Sequence, residues 1–283
     1  MTIKIKDTIK NLLPKIVLLQ RDLTRVKTSM PVNKFDHSWR LQEKKFPYSC
    51  TDEEGLIINY IIQANQLKSG FEIATGFGYS SIYSGLGFKE TKGKLISLDC
   101  YVEEDKEFPI YTNEELKKCV VRVKNNIQSG NYPAGLKFAK DHTNLLELSN
   151  TINFVIGLSP ADIPSILEKV TLDFVFIDGG HFDGQPLKDF LAVLPYLADK
   201  WAIFFHDTDN EDGSSAVAVV EKKLGIKAIN LPTKWHLTLF PKNLDGDSIN
   251  EITNFLSGNT NKRLLIKTIK QVLLPLRKIK AYL

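Results

Sequence analysis

Five short runs rich in β-branched and aromatic residues, each ending in or leading into polar or glycine residues, are spaced along this chain by stretches of helical period. They are Gly70–Ala74, Lys94–Asp99, Asn153–Gly157, Leu172–Asp178 and Trp201–His206, and the segment from Gly55 to Gln66 before them is itself helical in period. Such alternation predicts right-handed βαβ crossovers and a mostly parallel sheet covered on both faces. Ile226–Leu231 and His236–Phe240, spaced around Pro232, predict a terminal antiparallel pair. In open sheets of this class ligands gather at the carboxyl ends of the strands. The residues at those ends are therefore the ones to read.

The chain's 283 residues, 43% of them hydrophobic, suffice for a full core, read as one domain over 51–245 with extensions at 1–50 and 246–283. Ile9, Leu12, Leu13, Ile16, Leu19, Leu23 and Val26 recur at helical spacing, as do Leu265, Ile269, Val272, Leu273, Leu276 and Ile279, with Pro14 and Pro275 as interruptions. Residues 1–30 carry seven Lys or Arg against two acids, and 261–283 carry seven and no acid. With a net charge of +4 for the whole, the intervening body is left at −8. An acidic body does not suit a nucleic-acid groove. The basic end helices are expected to pack on the body or on a second copy as a homodimer, weak contact with an anionic membrane surface being the alternative. Cys50, Cys100 and Cys119 have no metal-ligand spacing and cannot all pair, no run of 18 apolar residues occurs, and lysines crowd the first ten positions. These features predict a cytoplasmic location.

The first chemical constellation runs from Phe71 to Ser81, F-E-I-A-T-G-F-G-Y-S-S. A strand turning sharply into a helix needs small residues to bring backbone N–H groups against a ligand, and Ala74, Gly76 and Gly78 supply them. Asp99 closes the next run 21 residues after Gly78, where a carboxylate can accept from both hydroxyls of a ribose. The pair fits a nicotinamide dinucleotide or S-adenosylmethionine. A dinucleotide asks for Gly-x-Gly-x-x-Gly, whereas Ala74 and the bulky Tyr79 break that spacing. Glu72 at the strand end would repel a phosphate and attract a sulfonium or amino group, so the electrostatics favour a cationic ligand.

Two further runs, L-D-F-V-F-I-D-G-G-H ending at His181 and A-I-F-F-H-D-T ending at Thr208, each close on an acid. Adjacent strands would set Asp178 and Asp207 side by side, and two converging carboxylates suggest a divalent cation. Gly179 and Gly180 let the chain turn so that His181 faces the same cleft as a general base, with Asp178 beside it.

Taken together, E-x-x-x-G-x-G, an acid on the next strand, F-I-D-G-G-H and F-H-D-T resemble the class I S-adenosylmethionine-dependent methyltransferases of family 24, whose neighbours include catechol-type and sugar O-methyltransferases. The resemblance runs from about Asp52 to Phe240. It implies an α/β fold, a Rossmann-like doubly wound seven-stranded sheet with an antiparallel terminal strand and helical extensions at both ends. It implies S-adenosylmethionine held by Glu72, Ala74, Thr75, Gly76, Gly78, Tyr79, Ser80 and Asp99, with Ser159 and Asp178 along its edge, and an acceptor near Asp178, His181 and Asp207. In the metal-dependent relatives the acids matching Asp178 and Asp207 hold magnesium. This chain departs from the family with Ala74 for glycine, Leu158 for an acid near the adenine, Ala198–Trp201 for a Pro-Gly-Gly turn and Thr208 for asparagine.

The expected activity is O-methylation of a small-molecule or glycan hydroxyl, with 100–152 as a lid or acceptor insertion. Two rivals are a nicotinamide-dependent oxidoreductase on a similar sheet and a non-catalytic binding or membrane-associated protein that keeps the fold alone.

Overall fold

The computed structural model describes residues 4–15, 50–101 and 112–257. A helix over 5–15 (α1) is followed by α2 (Asp52–Ala64), β1 (Ser69–Ile73), α3 (Tyr79–Thr91) and β2 (Lys94–Asp99). Next come α4 (Asn113–Gln128), α5 (Ala134–Leu145), β3 (Ile152–Ile156), α6 (Ile163–Leu167), β4 (Leu172–Ile177) and α7 (Gln185–Val193). The chain continues through β5 (Leu197–Phe205), α8 (Glu211–Leu224), β6 (Ile229–Leu231), β7 (Leu237–Lys242) and α9 (Gly246–Leu256).

The strands form one seven-stranded sheet in the order β3-β2-β1-β4-β5-β7-β6. β3, β2, β1, β4 and β5 pair in parallel, and β7 runs against both β5 and β6. The expected antiparallel pair is thus present, with β6 at the sheet edge. β6 starts three residues after the expected 226 and β7 runs 237–242 in place of 236–240, with residues 232–236 forming the turn between them. α2 begins at Asp52, three residues ahead of the expected Gly55. Thr51 Oγ1 accepts from Glu54 N at 3.3 Å while Glu54 Oε2 accepts from Thr51 N at 2.6 Å, a reciprocal cap that starts the helix early. β5 likewise begins before Trp201. Leu197 pairs with Leu172 but Ala202 pairs with Phe174, so Ala198–Trp201 bulge out of the ladder while remaining strand.

Period-two alternation decides which side chains meet which layer. Phe174 and Phe176 of β4, with Ala202 and Phe204 of β5, face the cluster built on α2 and α3. Val175, Ile177, Ile203 and Phe205 face the cluster under α6, α7 and α8. Each of the fully buried Phe, Val and Ile side chains stabilises the fold by about 1.5–3 kcal/mol relative to exposure.

Ile5 and Leu12 of α1 lie in the first cluster, and Ile5 N donates to Glu251 Oε1 on α9 at 3.1 Å. Over this stretch the apolar stripe is buried on the body. Ile252, Phe255 and Leu256 of α9 join the same cluster. The rest of the N-terminal helical pattern and the basic stretch 261–283 lie outside the described residues. No described helix is long and apolar enough to cross a membrane.

Candidate active site

The parallel ladder continues one residue past the strands. Ala74 N donates to Leu98 O at 2.8 Å, Asp178 N to Ile73 O at 3.2 Å and His206 N to Ile177 O at 3.0 Å. This register brings Ala74, Asp178 and His206 into one row along the carboxyl edge, with Asp207 one step beyond. The sequence reading paired Asp178 with Asp207; the ladder interposes His206.

At the end of β1 the chain turns through left-handed conformations at Ala74 (φ 73°), Gly76 (φ 52°) and Gly78 (φ 73°) before α3 starts. Gly76 N donates to Asp99 Oδ2 at 2.7 Å and Tyr101 N to Asp99 Oδ1 at 2.7 Å. Burial raises the Asp99 pKa, although these backbone donors act against the rise.

Glu72 lies beneath the turn, fully buried. Its carboxylate accepts from Ser80 Oγ at 2.6 Å, from Ser97 Oγ at 2.5 Å and from Ser81 Oγ. Burial lifts its pKa to about 7 against the pull of the three hydroxyls. Thr75 Oγ1 also points down, 2.6 Å from Ser97 Oγ. Glu72, Thr75 and Ser80 therefore brace the turn through their side chains. Tyr79 turns away from it: its ring is buried edge-on against Tyr83 and its hydroxyl donates to Asp52. Ser159, beyond β3, donates to Asp189 on α7 and precedes a cis bond to Pro160.

The acids at β4 and β5 form a denser cluster than the sequence indicated. His181 Nε2 is 3.1 Å from Asp207 Oδ2. His206 Nδ1 is 2.9 Å from Asp178 Oδ1 and 3.4 Å from Asp207 Oδ2, and its Nε2 is 3.4 Å from Glu54 Oε2 on α2. The His206 and Glu54 side chains are 4% and 0% exposed, whereas those of Asp178, His181 and Asp207 are 14%, 24% and 27% exposed and open on the cleft. Burial opposes a charge on His206, yet Asp178, Asp207 and Glu54 together hold its pKa well above the usual range. For His181 burial again opposes the charge, and the Asp207 hydrogen bond with Asp178 nearby raises the pKa. Asp207 is held low by His181 and His206 despite its burial, while burial raises Asp178.

Glu54 was not anticipated as a site residue. Its sequence signal, Thr51-x-x-Glu54, announces a helix cap, and the residue serves as that cap too. Its Oε1 also accepts from Trp235 N at 3.0 Å, and Asp207 N donates to Trp235 O at 2.9 Å, so the turn between β6 and β7 is fastened to both acids.

Donor atoms of Asp178, His181 and Asp207 lie within 4.8 Å of one another. Two carboxylates with an imidazole nitrogen beside them fit a divalent cation. The turn fits S-adenosylmethionine better than a dinucleotide. The pinned Asp99 suits a nucleoside with a free diol, and the Ala74–Gly78 turn lacks the glycine spacing that a pyrophosphate needs.

Residues 71–208 match the family Methyltransf_24, described as a methyltransferase domain. Among solved structures the chain is similar to the O-methyltransferase TomG of Streptomyces achromogenes, involved in tomaymycin synthesis and solved in complex with SAM. The two are 14% identical, over 76% of this chain and 91% of that one, with a TM-score of 0.50. A Staphylococcus aureus protein assigned as a caffeoyl-CoA O-methyltransferase aligns at 12% identity over 77% of this chain and 95% of its own, with a TM-score of 0.51. These likenesses establish the fold. No curated protein matches the chain in sequence.

Proposed function

We propose that this protein, whose residues 71–208 match a methyltransferase domain family, transfers a methyl group from S-adenosylmethionine to a hydroxyl of a small molecule or glycan. One observation carries the proposal. The Ala74–Ser80 turn with Asp99, and the Asp178–His181–Asp207 cluster, occupy the same carboxyl edge of one sheet, a nucleoside cradle beside an acid–base group.

S-adenosylmethionine, when bound, supplies an electrophilic methyl, and the rest is work for side chains. Asp99 receives the ribose diol, and the left-handed turn brings backbone against the donor. Asp207 Oδ2 accepts a hydrogen bond from His181 Nε2 at 3.1 Å and orients the imidazole, and His181 acts as the base for the acceptor hydroxyl. Asp178 is positioned to attract the positive sulfonium edge of the donor. Alignment of donor and acceptor is the larger contribution, up to about 7–11 kcal/mol, with proton removal adding roughly 10²–10⁴-fold. Asp178 and Asp207 would hold a divalent cation, whose chemistry is to lower the pKa of a bound hydroxyl.

Calorimetry with S-adenosylhomocysteine tests the reading. Binding of that nucleoside with no response to NAD(H) is the expected result. The reverse pattern would return the chain to the oxidoreductase alternative. For the ends, the burial of Ile5 and Leu12 favours packing of the N-terminal helix over membrane attachment. Vesicle co-sedimentation of the full chain against a chain ending at 260 tests whether the basic stretch beyond binds anionic lipid.

A further inference from the structure

The capping motif Thr-x-x-Glu starts two helices of this chain, with Thr51 and Glu54 at α2 and with Thr112 and Glu115 at α4. At α4 the cap is exposed. Glu54 is fully buried, and its contacts go beyond the cap. Thr51 uses only Oε2, which accepts from Thr51 N at 2.6 Å and from Thr51 Oγ1 at 2.9 Å. Burying a charge is costly unless further partners compensate it, and two such partners come from the cleft. His206 Nε2 lies 3.4 Å from Oε2, where facing a carboxylate it is the donor, and Trp235 N donates to Oε1 at 3.0 Å.

We propose that Glu54 is a positioning residue for methyl transfer: through the His206 ring and the Trp235 peptide it holds Asp207 in the orientation that seats His181. The inference rests on the proposed methyl-transfer reading of this cleft, and Glu54 lies outside the family-matched residues 71–208. Two routes run from this one carboxylate to Asp207. Through side chains, His206 Nδ1 lies 2.9 Å from Asp178 Oδ1 and 3.4 Å from Asp207 Oδ2, and the same Asp207 Oδ2 meets His181 Nε2 at 3.1 Å. Through the backbone, Trp235 O accepts from Asp207 N at 2.9 Å. Asp207 has a left-handed backbone (φ 52°), which persists at a residue with a side chain where its surroundings enforce it. The turn fastened by Glu54 supplies that enforcement. With no exposed surface, Glu54 offers nothing to donor or acceptor and acts only through His206 and Asp207.

Nitrogen-15 NMR of the histidine side chains in the full chain reads this coupling without an acceptor, with His181→Gln and His206→Gln used to assign the resonances. The wild-type chain should show a solvent-protected proton on His206 Nε2. Glu54→Gln should lose that proton and shift the His181 ring nitrogens, as Asp207→Asn does. Thr51→Ala removes the side-chain cap and leaves His206 and Trp235 their acceptor, so it should lower the urea midpoint while the His181 nitrogens stay in place. If Glu54 serves only its helix, Glu54→Gln lowers the midpoint in the same way and leaves His181 unmoved, and that result overturns the assignment. A wild-type chain with no protected proton on His206 Nε2 overturns it as well, whether or not Glu54→Gln folds. S-adenosylhomocysteine binding is measured by calorimetry on the same samples and should persist in Glu54→Gln. Binding without the coupling overturns the role of Glu54 alone, whereas coupling in a wild-type chain that does not bind S-adenosylhomocysteine overturns the methyl-transfer reading.

Discussion

Ser97 on β2 donates to Glu72 on β1 at 2.5 Å, across a register in which the two residues are direct partners. With Ser80 and Ser81 it closes a hydroxyl cage around a carboxylate that burial keeps near a pKa of about 7, against 4.5 in the unfolded chain. Between those values the folded state holds the proton more firmly. Glu72's contribution is thus fully present below about pH 4.5 and is lost as pH rises through about 7. The wild-type chain should lose roughly 2–3 kcal/mol from this group between pH 5 and pH 8. Glu72→Gln should flatten that part of the pH dependence in urea unfolding. An unchanged difference between the two pH values would show that Glu72 is not the group responsible.

Gly78 takes φ 73° at the start of α3, and a Cβ there would lie 2.5 Å from the Ala139 Cβ on α5. Gly78→Ala should cost about 1–3 kcal/mol of stability, from backbone strain and the clash together. Adding Ala139→Gly should recover the clash and leave the strain. Thermal unfolding of the single and double variants reads both, and full recovery in the double would deny any backbone cost.

Asp99→Ala should weaken S-adenosylhomocysteine binding by about 10–100-fold, the worth of a charged acceptor lost to the ribose. It also frees the N–H groups of Gly76 and Tyr101, so Asp99→Asn serves as the milder control. Calorimetry giving wild-type affinity in Asp99→Ala would remove this residue from the cofactor site.

His181→Gln should lower kcat by about 10²–10⁴-fold while leaving S-adenosylhomocysteine affinity intact. Because Asp207 and Asp178 raise the His181 pKa over the opposition of burial, activity should decline as pH falls through a value above 6.5. Asp207→Asn should move that limb to lower pH. A pH profile that does not move with Asp207 would argue for another base.

The fold was legible because its signals are local. β-rich runs alternate with helical periods, and Lys94–Asp99 was delimited without error. The strand-end acids could be found in the same way, since each closes a run. Glu54 could not, because a cap in α2 becomes a partner of His206 only through the packing of α2 against the sheet and the docking of the turn before β7. The direction of the Tyr79 side chain was equally out of reach of the sequence. It stands one residue past Gly78, yet its ring follows the helix down into the core toward Asp52. Position along a chain fixes where a backbone goes, and only tertiary packing fixes where a side chain points.

A Cβ placed on Gly135 would fall 2.4 Å from Gly76 O, and Ala139 one turn later abuts Gly78, so α5 rests directly on the nucleoside turn. The stretch between β2 and β3 is therefore not an interchangeable cassette. A longer or bulkier loop transplanted into this stretch would press on the Gly76–Gly78 turn unless small residues at 135 and 139 travelled with it.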